Sequence, residues 1–173
     1  MFALVDCNNF YASCERAFQP QFNNVPVGIL SNNDGCFISR SDEAKELGLP
    51  MGAPEFKYRQ FCKENGIKVF SSNYPLYGDM STRVMNILGT FTPNMEVYSV
   101  DEAFLKFDGF KSYDFNIYGR EIQRTVQKCT GIPISIGIAP TKGLAKVANK
   151  IAKKLKTRTG GVYVIDSDER RIK

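Results

Sequence analysis

Glu96-Val97-Tyr98-Ser99-Val100-Asp101-Glu102-Ala103-Phe104-Leu105-Lys106-Phe107 is the stretch that decides the fold. Two β-rich runs, 96–100 and 103–107, flank an acidic pair, and Asp108-Gly109 turns the chain after them. Successive side chains of a regular strand point to opposite faces. Both acids therefore reach one site only if the backbone bends at their junction, as a hairpin or bulge would bend it.

Downstream, hydrophobic periodicity predicts a helix over 113–130, a strand over 134–138, a helix over 141–156 and a strand over 162–165. Upstream, Leu4-Val5 reads as a short buried strand ending at Asp6, and 9–18 as a helix with Phe10, Cys14 and Ala17 on one side. The Asn and Asp-Gly chemistry of 31–35 joins strands 27–30 and 36–38 into a hairpin. Helices are expected over 41–47, stopped by Gly48 and Pro50, and over 54–65, ended by Gly66. A strand over 67–70 and a helix over 77–91, broken by Thr92-Pro93-Asn94, complete the pattern. Strands and helices alternate too irregularly for a doubly wound parallel sheet. The order after Met95 predicts an α+β fold, a sheet with helices on one face.

The chain has 173 residues, enough for a sizeable core, and five scattered cysteines with no C-x-x-C pair. Neither a disulfide framework nor a zinc site is indicated, and a reducing, cytoplasmic setting is expected, with no membrane span. The absence of histidine removes His-based nucleophile activation and His metal ligands, so any metal must sit on oxygen. The net charge is +5, yet 140–160 carries six lysines and one arginine with no acid, leaving the remainder at −2. A basic patch this local points to a polyanionic partner.

Asp6, Asp101 and Glu102 supply hard oxygen donors from two separate elements, the chemistry a pair of divalent cations requires. The same residues also read as a helix cap and a solvated turn, and spacing alone leaves both readings open. In the basic segment, Lys142, Lys146, Lys150 and Lys153 fall within about 80° of one another on a helix, with Leu144, Val147, Ile151 and Leu155 opposite. That pattern fits a phosphate-facing surface or an ordinary solvated lysine face.

The surrounding motifs carry more information. Asp6-Cys7-Asn8-Asn9-Phe10-Tyr11, Tyr98-Ser99-Val100-Asp101-Glu102-Ala103-Phe104 and Gly137-Ile138-Ala139-Pro140-Thr141-Lys142-Gly143-Leu144-Ala145-Lys146 together resemble the signature of Y-family translesion DNA polymerases. Leu30-Ser31-Asn32-Asn33-Asp34-Gly35-Cys36, Glu43-Ala44-Lys45, Leu47-Gly48 and the run from Ser72 to Ser81 narrow the resemblance to the UmuC branch. It implies a ferredoxin-like palm from 1–10 and 76–166, with a small α/β fingers domain, 11–75, inserted. Asp6, Asp101, Glu102 and the Cys7 backbone carbonyl would hold two Mg²⁺ ions, for which Mn²⁺ can substitute. Tyr11 would be the steric gate against a ribose 2′-hydroxyl; its plainer reading is a core-facing helix aromatic. Ser39, Lys45 and Lys153 would contact the nucleotide triphosphate. Lys142, Lys146 and Lys150 would contact DNA.

The sequence departs from the commoner family pattern at Asp42, where many relatives carry tyrosine, and at Lys45, where many carry arginine. Lysine lacks the planar bidentate fork, so its phosphate contact is less fixed in geometry. The implied reaction is template-directed transfer of a nucleotide from dNTP to a primer 3′-hydroxyl on a DNA primer–template, as part of SOS DNA repair. A UmuD-like accessory dimer, a recombinase filament and a sliding clamp are partners implied by the resemblance alone. Residues 167–173 would open a linker to a thumb and little finger absent from this stretch, and a chain without them would extend primers poorly. Two alternatives stand beside this reading. One is a palm-like nucleotide cyclase, whose Gly-Gly-acidic-Glu-Phe turn is missing; the other is a non-catalytic nucleic-acid or protein docking module.

Overall fold

Every residue of Ile134–Ala139 is buried, and most of the chain's larger unit is built around this strand. The computed structural model describes residues 1–110 and 112–166, so the expected linker at 167–173 lies outside the described residues. In chain order the elements are β1 (Phe2–Cys7), α1 (Phe10–Phe18), β2 (Val27–Leu30), β3 (Phe37–Arg40), α2 (Asp42–Glu46), α3 (Glu55–Glu64), β4 (Lys68–Phe70) and α4 (Tyr74–Leu88). They continue with β5 (Met95–Val97), β6 (Glu102–Lys106), α5 (Phe115–Thr130), β7 (Ile134–Ala139), α6 (Lys142–Lys154), α7 (Lys156–Thr159) and β8 (Val162–Val164). The chain divides into two compact units, one spanning Asn9–Asp79 and the other made of Met1–Asn8 with the chain from Met80 onward.

The larger unit is a five-stranded mixed sheet in the order β5-β6-β1-β7-β8, antiparallel throughout except for the parallel β7–β8 pair. Its α+β class agrees with the sequence reading. The layers do not: helices cover both faces, not one. Neighbouring side chains on β7 alternate between faces. A Cβ on Gly137 would stand 2.0 Å from the Asn149 backbone nitrogen of α6. On the other face, a Cβ on Gly119 of α5 would stand 3.4 Å from Ile138. A strand with no polar face, such as β7, needs a cover on each side. Leu4, Phe104 and Ala139 form the α6-side core with Ala145, Ala148 and Ile165.

The aliphatic stripe opposite the lysines of α6 seats the helix only in part: Leu144 packs against this core and Ile151 is half-buried. The buried residues of α6 are Ala145, Ala148, Asn149 and Ala152, while Val147 is 51% and Leu155 39% exposed. Small side chains win because the helix backbone lies directly against Gly137, leaving no depth for leucine or valine. α6 is capped by the Thr141 hydroxyl, which accepts from the Leu144 amide at 3.3 Å, and α5 by the Asp114 carboxylate.

The smaller unit carries a three-stranded sheet, β3-β2-β4, with the expected β2–β3 hairpin and a parallel β2–β4 pair. Its core gathers Leu30, Phe37, Ala44, Leu49, Ala53, Cys62 and Ile67. The buried Ser41 hydroxyl caps α2 through the Ala44 amide and also accepts from the Val27 amide, joining helix to sheet. Three local expectations are revised. Ala17 is exposed, because α1 buries Phe10, Ala12, Ser13, Cys14 and Glu15 instead. α4 begins at Tyr74, which puts Pro75 in its first turn, where a missing N–H costs nothing. Residues 98–100 form a bend rather than strand, since the Tyr98 and Ser99 amides both donate to the Glu102 carbonyl.

The Gly137 contact gives a direct test. Gly137→Ala is expected to destabilise the protein by about 3 kcal/mol or more, because backbone cannot yield as a side-chain tip can. Gly143→Ala, with nothing within 4 Å of its new methyl, is expected to be neutral or stabilising by about 0.5 kcal/mol. Urea denaturation of both variants measures the difference.

Candidate active site

Strand register brings the first two carboxylates together. Asp6 is the penultimate residue of β1, and its antiparallel partner on β6 is Glu102. Directly opposed residues project to the same side of a sheet, so both acids face the α6 side, where Leu4 also points. Asp101 lies in the bend just before β6. Its carbonyl accepts from the Cys7 amide at 2.9 Å, and its carboxylate accepts from the Ser99 hydroxyl at 2.7 Å. The bend foreseen at the acidic pair is therefore present, closed by backbone on one side and a serine on the other.

Lys153 reaches this cluster from α6, with its ammonium 2.5 Å from Asp6 Oδ2. Asp6 is 8% exposed, and burial pushes its carboxyl up to about 6. Lys153 works against that rise, while Glu102 and Asp101 add to it. A buried carboxylate still short of positive charge after pairing with a lysine is suited to a further cation. The donors are hard oxygens, which fit Mg²⁺ or Mn²⁺ in chemistry and in strand placement. As the side chains stand, among the described residues no three acids or thiols converge on a single point, since Asp101 turns to Ser99 and Asp6 to Lys153.

Two other lysines of α6, Lys142 and Lys146, stand against the same side of the sheet. Lys142 pairs with Glu96 at 2.5 Å and stands over the Phe104 ring. Lys146 lies 4.1 Å from the Tyr98 ring centre and 2.9 Å from its hydroxyl. Lys150 is exposed. Their contacts are at the surface, where solvent screens an ion pair or cation–π contact and leaves it weak.

The remaining sites belong to the smaller unit. Tyr11 is half-buried and stacks on Tyr77, ring centres 4.3 Å apart and planes 15° from parallel, with Tyr74 edge-on to both. The Tyr77 hydroxyl donates to the buried Glu15 carboxylate at 2.9 Å, and burial together with that carboxylate holds it protonated. Ser39 is buried on β3 opposite Ile29. Lys45 donates to Asp42 at 3.2 Å and to the Asn9 side chain, and Asn9 also donates to Asp42 at 2.9 Å. Asp42 thus neutralises Lys45.

Three contributors escaped the sequence reading: Ser99, the Glu15–Tyr77 pair and Asn149. Asn149 alone left a usable signal, a polar residue inside the small-residue face of α6 and one turn before Lys153. The Asn149 amide donates to the Leu4 carbonyl at 3.1 Å and the Ser135 carbonyl at 2.9 Å.

This fold matches that of solved Y-family DNA polymerases. The insertion ternary complex of Dbh DNA polymerase superimposes with a TM-score of 0.84 at 29% identity, covering 98% of this chain and 50% of that one. DinB from Sulfolobus solfataricus gives 0.83 at 29% identity, covering 95% and 48%. The chain belongs to the impB/mucB/samB family, whose pattern matches residues 5–150. Protein UmuC of Salmonella typhimurium is 49% identical over 172 residues, 99% of this chain. The chain spans 41% of the length of that relative.

The Asp6 environment has a measurable consequence. Because its folded pKa of about 6 lies above the ordinary 3.8, the folded chain holds a proton that the unfolded chain releases. Stability therefore falls as pH rises through roughly 4 to 6, and the deficit is complete above that window. In chelator-treated buffer, Asp6→Asn is expected to match the parent near pH 3.5 and to exceed it by about 1–3 kcal/mol at pH 7.5. Urea denaturation at the two pH values reads this out, and equal stability at both would contradict it.

Proposed function

We propose that this chain is the catalytic palm and fingers of a translesion DNA polymerase, transferring a deoxynucleotide from dNTP to a primer 3′-hydroxyl on a DNA template. The observation that carries the reading is the cross-strand Asp6–Glu102 pair, with Asp101 adjacent and positive charge in deficit. Residues 1–10 and 76–166 would form the palm and 11–75 the fingers.

Asp6, Asp101, Glu102 and the Cys7 carbonyl would hold two Mg²⁺ ions, with Mn²⁺ able to substitute. Held by these residues, the ions would acidify the primer hydroxyl and neutralise charge on the phosphates. The protein's own part is to position and to neutralise. Asp101 would leave the Ser99 hydroxyl to complete the donor set, and Lys153 would give up Asp6 for the triphosphate. Both moves exchange one charge-assisted contact for another. In the fingers, Lys45 and Ser39 would bind the triphosphate, Lys45 leaving Asp42 as it does so. Tyr11, its ring fixed by the Tyr77 stack, would exclude the ribose 2′-hydroxyl. Lys142, Lys146 and Lys150 would contact DNA phosphates, which makes binding salt-dependent. The accessory dimer, recombinase filament and clamp belong to this proposal as partners of the whole protein. Among the described residues no helix is long and apolar enough to cross a membrane.

Two measurements test the reading. Calorimetric titration of Mn²⁺ into the 173-residue chain is expected to show binding that Asp6→Asn abolishes. In the longest natural chain containing this sequence, Asp101→Ala and Glu102→Ala are each expected to slow primer extension by about a thousandfold. In that chain Tyr11→Ala is expected to admit ribonucleotides. Full extension activity in both acidic variants would refute the proposal.

A further inference from the structure

Asn149 is 4% exposed, and its side-chain amide spends its two donors on the carbonyls of Leu4 and Ser135. These carbonyls belong to adjacent strands, and both lie next to Asp6. Leu4 is two residues before it on β1, and Ser135 is its cross-strand partner on β7. One helical turn after Asn149, about 40° around the axis, Lys153 meets Asp6. The same short segment of α6 is thus tied to the strand carrying Asp6 twice, once through buried amide bonds and once through an ammonium.

The two ties are unequal. The lysine side chain of the Lys153–Asp6 pair is 39% exposed on a flexible four-carbon stem, so it cannot set the height or rotation of the helix. The bonds from the buried amide can, because a shift of the helix would leave its buried N–H donors without an acceptor, which has a cost. The small residues Ala145, Ala148 and Ala152 let α6 lie against Gly137, but a smooth alanine face permits sliding. A shift of one residue would move Lys153 by about 1.5 Å along the axis and about 100° around it.

We propose that Asn149 is a positioning residue, fixing α6 on β1 and β7 so that the Lys153 ammonium stands at Asp6 and is held ready for the triphosphate. The second part rests on the role given to Lys153 above. The first part stands on geometry alone. Asn149 touches no reacting group; it acts through the helix it registers.

Lysine acetylation of the metal-free 173-residue chain with limiting reagent, read residue by residue by mass spectrometry, tests this directly. Asn149→Ala is expected to speed modification of Lys153 at least fivefold, to the rate seen in Asp6→Asn, while Lys142, paired with Glu96, keeps its rate. Asn149→Ser, with one donor instead of two, is expected to fall between. Unchanged Lys153 reactivity in Asn149→Ala would overturn the proposal. So would a uniform rise at Lys142, Lys146, Lys150 and Lys153, which would mean that the amide only holds the helix folded. Nucleotide kinetics in the longest natural chain test the other half: Lys153→Ala should raise KM for dNTP, and Asn149→Ala should add little to it. Additive losses there would overturn the link from Asn149 to the triphosphate. An unchanged KM in Lys153→Ala would refute the role of Lys153 and leave the acetylation result as it stands.

Discussion

The approach of α6 to β7 at Gly137 is the constraint on which the larger unit depends. No side chain fits between the strand and the helix backbone there, since the first carbon of one would lie 2.0 Å from a peptide nitrogen. Contact that close requires alanines along the helix and leaves a single polar position, Asn149, whose amide reaches past the strand surface to its carbonyls. It also puts the lysine side of α6 beside the face of the sheet where Asp6 and Glu102 project. The position of positive charge relative to the acids therefore follows from a packing distance, and long-range attraction is not needed to explain it.

Electrostatics then shapes what that geometry can do. Three carboxylates near one strand junction repel one another, and burial of Asp6 sharpens the repulsion. The chain answers with two local measures. Lys153 partly neutralises Asp6, and the Ser99 hydroxyl holds the Asp101 carboxylate to the side. Neither partner is deeply committed, because the lysine is substantially exposed and the serine offers a single hydrogen bond. The proposed binding of hard cations would draw on this balance, each acid exchanging one contact for another.

The smaller unit follows the same logic with different residues. Lys45 is held by Asp42 and Asn9 near the start of α2, a neutral cluster that an anion would have to compete with. Tyr11 lies flat on Tyr77, and a buried carboxylate holds the far end of Tyr77. The ring of Tyr11 thus has a fixed support within its own unit, which the shape exclusion proposed for it would require.

Much of this was legible in the sequence. Turn chemistry at Ser31–Gly35, the acidic pair between two β runs and the apolar run of β7 located the hairpin, the bend and a fully buried strand, because each depends on residues close in sequence. The α+β class and the candidate acids came from the same local signals. What the sequence did not determine was depth. Periodicity assigned Val147 and Leu155 to the buried side of α6, since hydropathy reports what would gain from burial and not how closely two backbones meet. The second covered face of the sheet and the role of Asn149 were hidden for the same reason. Gly137 and Asn149 lie twelve residues apart, and Leu4 is far from both in sequence. Only the folded chain brings them within a hydrogen bond's reach, and that proximity decides where Lys153 meets Asp6.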